Sequence, residues 1–253
     1  MTDIATYPSL KGKTVLISGG ASGIGAQIVR RFVEQGCKVA FLDVDAEAGR
    51  SHADGLSGIG EVRFIECDVT DIEALRAAIG EVREAFGPIG VLVNNAAHDD
   101  RHDIADVTPD YWNNRLAVNL NHQFFAAQAV ADDMRALGGG VMIQMGSVSW
   151  HNGQHDMVAY TTAKAAVEGL NRSLAGALGP DNIRCVCAIP GWIMTQRQRD
   201  KWLDEDGEKA IFDNQCLKRY LEPDDIARPL LFLASDEAGA MTNQAYIIDG
   251  GWR

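Results

Sequence analysis

Short apolar segments alternate along this chain with longer segments in which apolar residues recur every three or four positions. The short segments contain almost no charge, which is typical of strands covered on both faces of a sheet. They predict strands at Thr14–Ser18, Lys38–Asp43, Val62–Cys67, Val91–Asn94, Val141–Met145, Ile183–Ile189 and Ala245–Ile248.

The longer segments predict amphipathic helices between these strands. The first helix has one apolar stripe, made of Ile24, Ile28, Val29, Phe32 and Val33, and is predicted to end at Gly36. Later helices are predicted at about Ile72–Phe86, Pro109–Leu137, Val158–Leu178 and Pro223–Leu233.

The alternation of strand and helix predicts right-handed βαβ units and therefore a parallel sheet. We expect an α/β fold: a single doubly wound Rossmann-type domain, residues 1–253, with a seven-stranded parallel sheet and helices on both faces. The chain has no internal repeat or interdomain linker, which agrees with one domain. The charged segment Trp192–Tyr220 follows the sixth strand and is predicted to be an irregular substrate loop or lid over about 192–220.

Composition narrows the classes of function. Hydrophobic residues make up 46% of the chain and charged residues 23%, as in a globular protein rather than a disordered one. The formal net charge of -12 opposes binding to nucleic acid or to an anionic membrane surface. No apolar run approaches the roughly 18 residues of a membrane span. The N-terminal residues also lack the basic start and apolar stretch of a secretory signal.

The cysteines indicate a reducing compartment. Cys37, Cys67, Cys185, Cys187 and Cys216 are odd in number, and four of them lie in apolar or strand-like segments. No two of them have the C-x-x-C spacing of zinc sites and redox motifs. We therefore expect reduced core cysteines in a cytoplasmic protein, and no catalytic metal.

A glycine-rich loop joins the first strand to the first helix, where residues 19–25 read Gly-Gly-Ala-Ser-Gly-Ile-Gly. Glycine lets the backbone approach a pyrophosphate closely, and the amides that start the following helix point towards its charge. This strand–loop–helix context predicts a dinucleotide site that includes Gly19, Ser22, Gly23, Ile24 and Gly25.

The second strand ends at Asp43, where a carboxylate can accept hydrogen bonds from both hydroxyls of an adenosine ribose. The same charge would repel a 2′-phosphate, and no basic residue lies in the glycine loop or directly after Asp43. NAD is therefore favoured over NADP as the cofactor. Asp68 and Val69 follow the third strand and are expected beside the adenine.

Tyr160 and Lys164 stand four residues apart and therefore share one face of a predicted helix. An ammonium beside a phenol lowers the tyrosine pKa from about 10, which suits Tyr160 as a general base towards an alcohol. Ser147, just after the fifth strand, is placed to hold the substrate oxygen beside that tyrosine. Asn119 interrupts the helical pattern 109–137, and we expect it to distort the helix and to hold a water near Lys164.

In this order and at these spacings, the motifs resemble those of the short-chain dehydrogenase/reductase family over essentially the whole chain. The matching elements are Gly19-x-x-x-Gly23-Ile24-Gly25, Asn94-Asn95-Ala96, Asn119, Ser147, Tyr160-x-x-x-Lys164 and Pro190-Gly191. The resemblance implies a catalytic tetrad of Asn119, Ser147, Tyr160 and Lys164.

The resemblance also implies a nicotinamide site and an oligomer. Lys164 would hold the nicotinamide ribose, and Thr195 would approach the nicotinamide amide. The remaining expected cofactor contacts are Asn95, Ala96, Tyr160, Pro190, Gly191 and Ile193. Ala97 stands where the family often has glycine, which narrows the turn but removes no catalytic group. Excess apolar surface on the helical patterns 109–137 and 158–178 agrees with the homotetramer that the family implies.

Several shorter stretches are similar to sugar dehydrogenases of the D-xylose 1-dehydrogenase type. They are residues 7–13, 99–102, 149–151, 215–218 and 250–253. This similarity implies NAD-dependent oxidation of an aldose, such as a pentose or a 6-deoxyhexose, at C1 to the aldonolactone. Tyr160 would take the proton of the anomeric hydroxyl while hydride passes to NAD.

The loops after the fourth, fifth and sixth strands are rich in polar and aromatic side chains. Such residues suit the hydroxyls and the apolar C–H face of a sugar, whereas a steroid or fatty-acyl pocket would need more aliphatic residues. The expected substrate contacts are Asp99, Ser147, Ser149, His151, Asn152, Tyr160, Trp192 and Arg197.

Two other functions remain open. A dehydrogenase of a secondary alcohol on a sugar acid or keto-deoxy sugar acid would need Arg101, Arg197 or Arg199 to pair with the carboxylate. A non-catalytic dinucleotide-sensing scaffold would bind NAD without turnover, and it would have no need of Tyr160 and Lys164 together.

Overall fold

The computed structural model describes residues 4–253. Residues 1–3, which belong to the predicted 1–253 domain and to the N-terminal stretch considered as a secretory signal, lie outside the described residues. The strands are β1 Thr14–Ser18, β2 Lys38–Asp43, β3 Val62–Glu66, β4 Val91–Asn94, β5 Gly140–Met145, β6 Ile183–Pro190 and β7 Gln244–Ile248. They form one parallel sheet in the order β3-β2-β1-β4-β5-β6-β7. The predicted doubly wound α/β fold is confirmed, and every strand end lies within one residue of its predicted position.

Helices cover both faces of the sheet. They are α1 Gly23–Glu34, α2 Ala46–Leu56, α3 Ile72–Phe86, α4 Pro109–Leu116, α5 His122–Ala136, α6 Val158–Leu178, α7 Gln196–Lys201, α8 Glu205–Asn214 and α9 Pro223–Ala234. Helices α1, α2 and α9 contribute to one apolar cluster with one face of the sheet, and α3, α5 and α6 pack on the other. Because both faces are buried, the strands contain almost only apolar residues.

The sequence pattern does not predict α2, because this helix packs through small residues. Its buried positions are Gly49 and Leu56. Gly49 lies so close to Phe64 that an added Cβ would come within 2.3 Å of the ring. A helix that packs through a glycine has no continuous apolar stripe for the periodicity to reveal.

The prediction of one continuous helix over 109–137 is wrong. Helix α4 ends at Leu116, a π-helical turn occupies Ala117–Asn121, and α5 begins at His122. The break confirms the expected distortion at Asn119, whose buried side chain bonds to a neighbouring loop instead of facing solvent. Such π-helical turns inside helices are frequent at functional sites.

The prediction of an irregular segment over 192–220 is also wrong, since α7 and α8 lie within it. The ends of the segment are held together, because Ile193 pairs with Leu221 and Met194 N donates to Leu221 O at 2.7 Å. Helix α8 buries only Ile211, and α7 buries no residue. Neither helix therefore has the apolar stripe by which a sequence pattern is recognised.

Cys37, Cys67, Cys185 and Cys187 are buried, Cys216 is exposed, and all five are free thiols. Within residues 4–253, no helix combines the length and the apolar character that crossing a membrane requires. The same residues contain no group of three or more His, Cys, Asp or Glu side chains arranged to hold a metal ion.

Candidate active site

Strands β1 and β4 are neighbours in the sheet, and the chain leaves them towards opposite sides. This opens a crevice at their carboxyl ends, which is where open α/β sheets bind ligands. The glycine loop forms its floor, with φ of +68° at Gly19 and +55° at Gly23. A Cβ on Gly25 would lie 1.8 Å from Gly19 O. Side chains are therefore excluded here, and the backbone amides stay open to an anionic ligand.

The turn after β4 closes the crevice against the glycine loop. Asn95 Nδ2 donates to Ser18 O at 3.1 Å and to Gly19 O at 2.8 Å. Ser18 Oγ accepts hydrogen bonds from the backbone amides of Asn95 and Ala96, both at 3.0 Å. These bonds join the ends of β1 and β4, so that three of the residues predicted to contact the cofactor, Gly19, Asn95 and Ala96, lie close together.

Asp43 lies at the end of β2, beside the glycine loop. Its Oδ2 accepts a hydrogen bond from Ala21 N at 2.9 Å, and its Oδ1 accepts one from Asp45 N at 3.1 Å. The carboxylate is therefore fixed at the rim of the crevice.

Other predicted cofactor residues lie along the same edge of the sheet. Asp68, after β3, is exposed and accepts hydrogen bonds from the N and Oγ1 of Thr70, whereas Val69 is buried. Thr195 reaches the glycine loop from the opposite side, since a Cβ on Gly23 would lie 3.2 Å from its Cγ2.

Three of the four predicted catalytic residues line one cavity of about 520 Å³. Tyr160 and Lys164 reach it from α6, and Ser147 reaches it from the loop after β5. The Ser147 hydroxyl lies near enough to the Tyr160 side chain to lower the Tyr160 pKa. Lys164 Nζ donates to Met145 O at 2.7 Å and lies 5.6 Å from the centre of the Tyr160 ring. The predicted cofactor residues in the same lining are Ile24, Asn95, Pro190, Gly191, Ile193 and Thr195.

The pKa of Tyr160 does not shift in the predicted direction. Burial raises this pKa above its ordinary value, the negative charge of Asp99 raises it further, and the Ser147 hydroxyl lowers it. Burial also lowers the pKa of Lys164 to about 8. Lys164 therefore loses its proton more readily, and with it the positive charge that would favour a phenolate. In the protein on its own the net shift of the Tyr160 pKa is therefore upward and not downward as predicted, because desolvation of the phenolate is its largest cause.

Asn119, the fourth predicted catalytic residue, lies outside the lining of this cavity. Its side chain pairs with the backbone of His98, since Oδ1 accepts from His98 N at 2.8 Å and Nδ2 donates to His98 O at 3.1 Å. Nδ2 also donates to Arg115 O at 2.9 Å. The Asn119 amide therefore holds the loop after β4 against the π-helical turn.

On the substrate side, the cavity has polar and aromatic walls. The predicted contacts Asp99, Ser149, Asn152 and Trp192 line it. It is also lined by residues outside the set of predicted contacts, among them Gln154, His155, Gln198, Ala210 and Trp252. Gln154 and His155 continue the polar run after β5, which is a signal in the sequence. The other three come from distant parts of the chain and have no such signal.

His151, a predicted substrate contact, does not reach the cavity. Its Nε2 lies 2.9 Å from Oε1 of Glu168 on α6, and its ring stacks on Trp150 with 3.8 Å between ring centroids. The His151 side chain is only 6% exposed. It therefore packs against α6, and only its neighbours in the loop face the site.

Arg197 is also outside the lining, but it fastens the segment 192–220 to the loop after β4. Its Nε donates to Asp99 Oδ1 at 3.1 Å, and its Nη2 donates to Asp100 Oδ1 at 2.6 Å. Gln198 Nε2 donates to Asp99 Oδ2 at 2.6 Å, while Gln198 Oε1 accepts from Trp192 Nε1 at 2.9 Å. Arg197 therefore acts on the site through Asp99.

Comparison with known proteins agrees with this geometry. A family model described as enoyl-(acyl carrier protein) reductase matches residues 19–253. D-xylose 1-dehydrogenase of Caulobacter vibrioides (strain NA1000 / CB15N) is 49% identical over 251 residues, which are 98% of this chain and 99% of the relative. A Rhizobium meliloti (strain 1021) protein named "Probable galactose dehydrogenase GalD" is 47% identical over 247 residues, 97% of this chain and 96% of the relative.

Solved structures show the same likeness. The structure of 7α-hydroxysteroid dehydrogenase complexed with NADH and 7-oxo glycochenodeoxycholic acid superimposes with a TM-score of 0.92 at 29% sequence identity. The match covers 97% of this chain and 96% of the other. The architecture described above is therefore shared over nearly the full length of both proteins.

Proposed function

The chain belongs to the short-chain dehydrogenase/reductase family of oxidoreductases acting on CH–OH groups, and we propose that it oxidises a neutral aldose at C1 to the aldonolactone with NAD. The observation that carries the proposal is the meeting of Ser147, Tyr160 and Lys164 in a cavity with polar and aromatic walls. The names of the two relatives, a D-xylose 1-dehydrogenase and a galactose dehydrogenase, support a sugar as the substrate. The cavity volume of about 520 Å³ lies in the range of small-molecule sites.

The crevice fits a dinucleotide. The glycines keep side chains out of the loop, and the first turn of α1 directs its free amides towards an anion. Gly19, Gly23, Asn95 and Thr195 would hold the cofactor, which supplies the hydride acceptor when it is bound. The fixed carboxylate of Asp43 supports NAD over NADP, because a 2′-phosphate would lie beside a like charge.

Tyr160 is the general base of the proposed reaction. Because the Ser147 hydroxyl lies beside the Tyr160 side chain, a sugar hydroxyl placed against both can lose its proton to Tyr160 while Ser147 holds the oxygen. Lys164 lies on the same helix face and would favour the phenolate through its positive charge. Asn119 is a positioning residue here, since its side chain reaches the site only through the loop after β4.

The charges around the cavity support a neutral sugar over a sugar acid. Each of the three arginines considered for a substrate carboxylate already has an acidic partner. The pairs are Arg101 with Asp156 at 3.3 Å, Arg197 with Asp99 at 3.1 Å and Arg199 with Glu222 at 2.6 Å. Of these arginines, Arg101 alone lines the cavity. A substrate carboxylate would have to compete with Asp156 for it while facing the charge of Asp99.

Three further features belong to the proposal. The segment 192–220 serves as the substrate lid, because α7 carries Gln198 and α8 carries Ala210 into the cavity lining. The free thiols support a cytoplasmic location. Phe124 on α5 is 40% exposed and Ile247 on the edge strand β7 is 42% exposed, which supports a homotetramer. Light scattering should give four times 27.4 kDa in solution.

Product identity tests the proposed reaction. The protein is incubated with NAD and D-xylose or D-galactose, and hydroxylamine is added to trap the lactone as a hydroxamate. We expect one hydroxamate for each NADH formed. NADH formation with a keto sugar as the product, and no hydroxamate, would place the oxidation at a secondary carbon and overturn the proposal.

A further inference from the structure

His122 is an imidazole that the proposed chemistry leaves unused, although it lies within the framework of the site. It is the first residue of α5, directly after the π-helical turn 117–121, and its exposure is 0%. Burying a ring nitrogen costs free energy unless a hydrogen-bond partner meets it. Its surroundings therefore indicate what it does.

One ring nitrogen meets the end of β1. His122 Nε2 lies 3.5 Å from Ser18 Oγ, at the outer limit of a hydrogen bond. Ser18 Oγ already accepts hydrogen bonds from the amides of Asn95 and Ala96, so its own proton remains available to donate. Nε2 is the acceptor for that proton, which assigns the imidazole hydrogen to Nδ1.

The other edge of the ring faces the π-helical turn. The nearby carbonyls of Ala117 and Val118 raise the pKa of His122, but Nδ1 forms a hydrogen bond with neither of them. Burial, together with the positive charge of Lys164, lowers the pKa of His122 to about 3. The ring is therefore neutral at physiological pH and has one donor and one acceptor.

Buried amides connect the same parts of the molecule a second time. Gln123 follows His122 in α5, and its Nε2 donates to Asn119 O at 3.2 Å. The backbone carbonyl of Gln123 accepts from Asn94 Nδ2 at 3.0 Å, and Asn94 also donates to Gln144 Oε1 at 2.8 Å. The turn that carries Asn119 is thus joined to the ends of β1, β4 and β5 by buried groups.

We propose that His122 is a positioning residue that couples the cofactor crevice to the turn carrying Asn119. At one end its imidazole supports Ser18, which holds the Asn95–Ala96 turn of the crevice. At the other end the backbone N–H of His122 donates to Ala117 O in the π-helical turn, from which Asn119 holds the loop leading to Asp99. The inference rests on the proposed function, because it takes the crevice to be the NAD site. Loss of the bridge should weaken cofactor binding and slow turnover together.

The test uses three substitutions in the full-length protein. His122→Phe keeps a ring and removes both polar edges, whereas His122→Gln keeps an acceptor near the position of Nε2. Ser18→Ala removes the hydroxyl at the other end of the bridge. NADH binding is measured by quenching of tryptophan fluorescence, and turnover is measured by NADH absorbance with an aldose.

We expect His122→Phe to weaken NADH binding and to lower kcat, each by about tenfold, with a smaller change in the KM for the sugar. His122→Gln should recover most of both losses. The double variant with Ser18→Ala and His122→Phe should lose less NADH affinity and less kcat than the product of the two single-variant losses. The reason is that both substitutions remove the same contact. The pair of Ser18→Ala and His122→Gln gives the same comparison if the phenylalanine variant does not fold.

His52→Phe is the matched control. His52 is a half-buried imidazole whose Nε2 lies 3.0 Å from Ala26 O, and this substitution should change thermal stability without changing kcat or NADH affinity. Wild-type NADH affinity and kcat in folded His122→Phe would overturn the proposal, as would independent effects in the double variant. NADH binding is measured without sugar and so does not depend on turnover. A wild-type protein that binds NADH but oxidises no aldose would contradict the proposed function, and the comparison of NADH affinities would still test the role of His122.

Discussion

The guanidinium of Arg197 and the carboxylate of Asp99 form an ion pair, with Nε 3.1 Å from Oδ1. The pair ties α7 to the loop after β4 and fixes a negative charge in the wall of the cavity that Tyr160 lines. That charge raises the pKa of Tyr160 and also that of Lys164. The segment 192–220 is therefore connected to Tyr160, the proposed base, through the charge of Asp99.

Asp99→Asn should move the pH dependence of oxidation to lower pH. The proposed base works as the phenolate, so kcat/KM rises as pH approaches the Tyr160 pKa. Removing a negative charge that raises this pKa lowers it, and the rise in kcat/KM then begins at lower pH. The measurement is kcat/KM against pH from about 6 to about 10. Asp100→Asn is the control, because Asp100 also pairs with Arg197 but does not contribute to the Tyr160 shift. A profile that stays in place or moves upward in Asp99→Asn would contradict the assignment.

Asp43→Ala should relax the preference for NAD. Without the carboxylate at the end of β2, a 2′-phosphate no longer meets a like charge, and the ribose hydroxyls lose an acceptor. We expect the ratio of kcat/KM for NAD to that for NADP to fall by about tenfold or more. Asp54→Ala removes an equal charge near the other end of α2 and should leave the ratio unchanged. An unchanged ratio in Asp43→Ala would show that other residues decide the preference.

His122 should make the fold sensitive to acid. Its folded-state pKa is about 3 and its ordinary value is 6.5, so the unfolded chain binds more protons between these pH values. Its contribution to stability is therefore complete above about pH 6.5 and is lost as pH falls. The loss should reach ~2 kcal/mol at about pH 5. Urea unfolding at both pH values should show a smaller acid loss in His122→Phe than in wild type, and equal losses would mean that the ring is not held neutral.

Tyr160→Phe should remove turnover while leaving cofactor binding in place. The substitution keeps the ring and deletes only the phenolic hydroxyl beside Ser147. We expect kcat to fall by at least about 10²-fold, with NADH affinity within about twofold of wild type. Tyr246→Phe, on β7 outside the cavity lining, is the matched control and should retain full activity. Turnover that survives in Tyr160→Phe would require a different base.

The features that follow from local sequence could be predicted before the structure was known. The strands are short apolar runs, the glycine loop lies between a strand and a helix, and Tyr160 and Lys164 are one helical turn apart. Each of these depends on residues that are close in the chain. Their meeting at one edge of the sheet then follows from the rule that parallel strands end on the same side.

The remaining features depend on distant contacts or on burial, which a local pattern does not contain. His151 follows the same strand as Ser149, but Glu168 on α6 draws its ring away from the cavity. Gln198 enters the site because Asp99 and Trp192 hold its amide. The pKa of Tyr160 rises with burial, and no spacing of residues reveals how far a side chain is desolvated.

The most informative single measurement is steady-state kcat/KM with NAD for neutral and acidic sugars that all carry an anomeric hydroxyl, D-galactose against D-galacturonate and D-glucose against D-glucuronate. With Asp99 in the wall and Arg101 paired to Asp156, we expect the neutral aldoses to exceed the acids by about a hundredfold or more. Equal or faster turnover of an acid, lost again in Arg101→Gln, would show that Arg101 binds a substrate carboxylate and that the enzyme is a sugar-acid dehydrogenase.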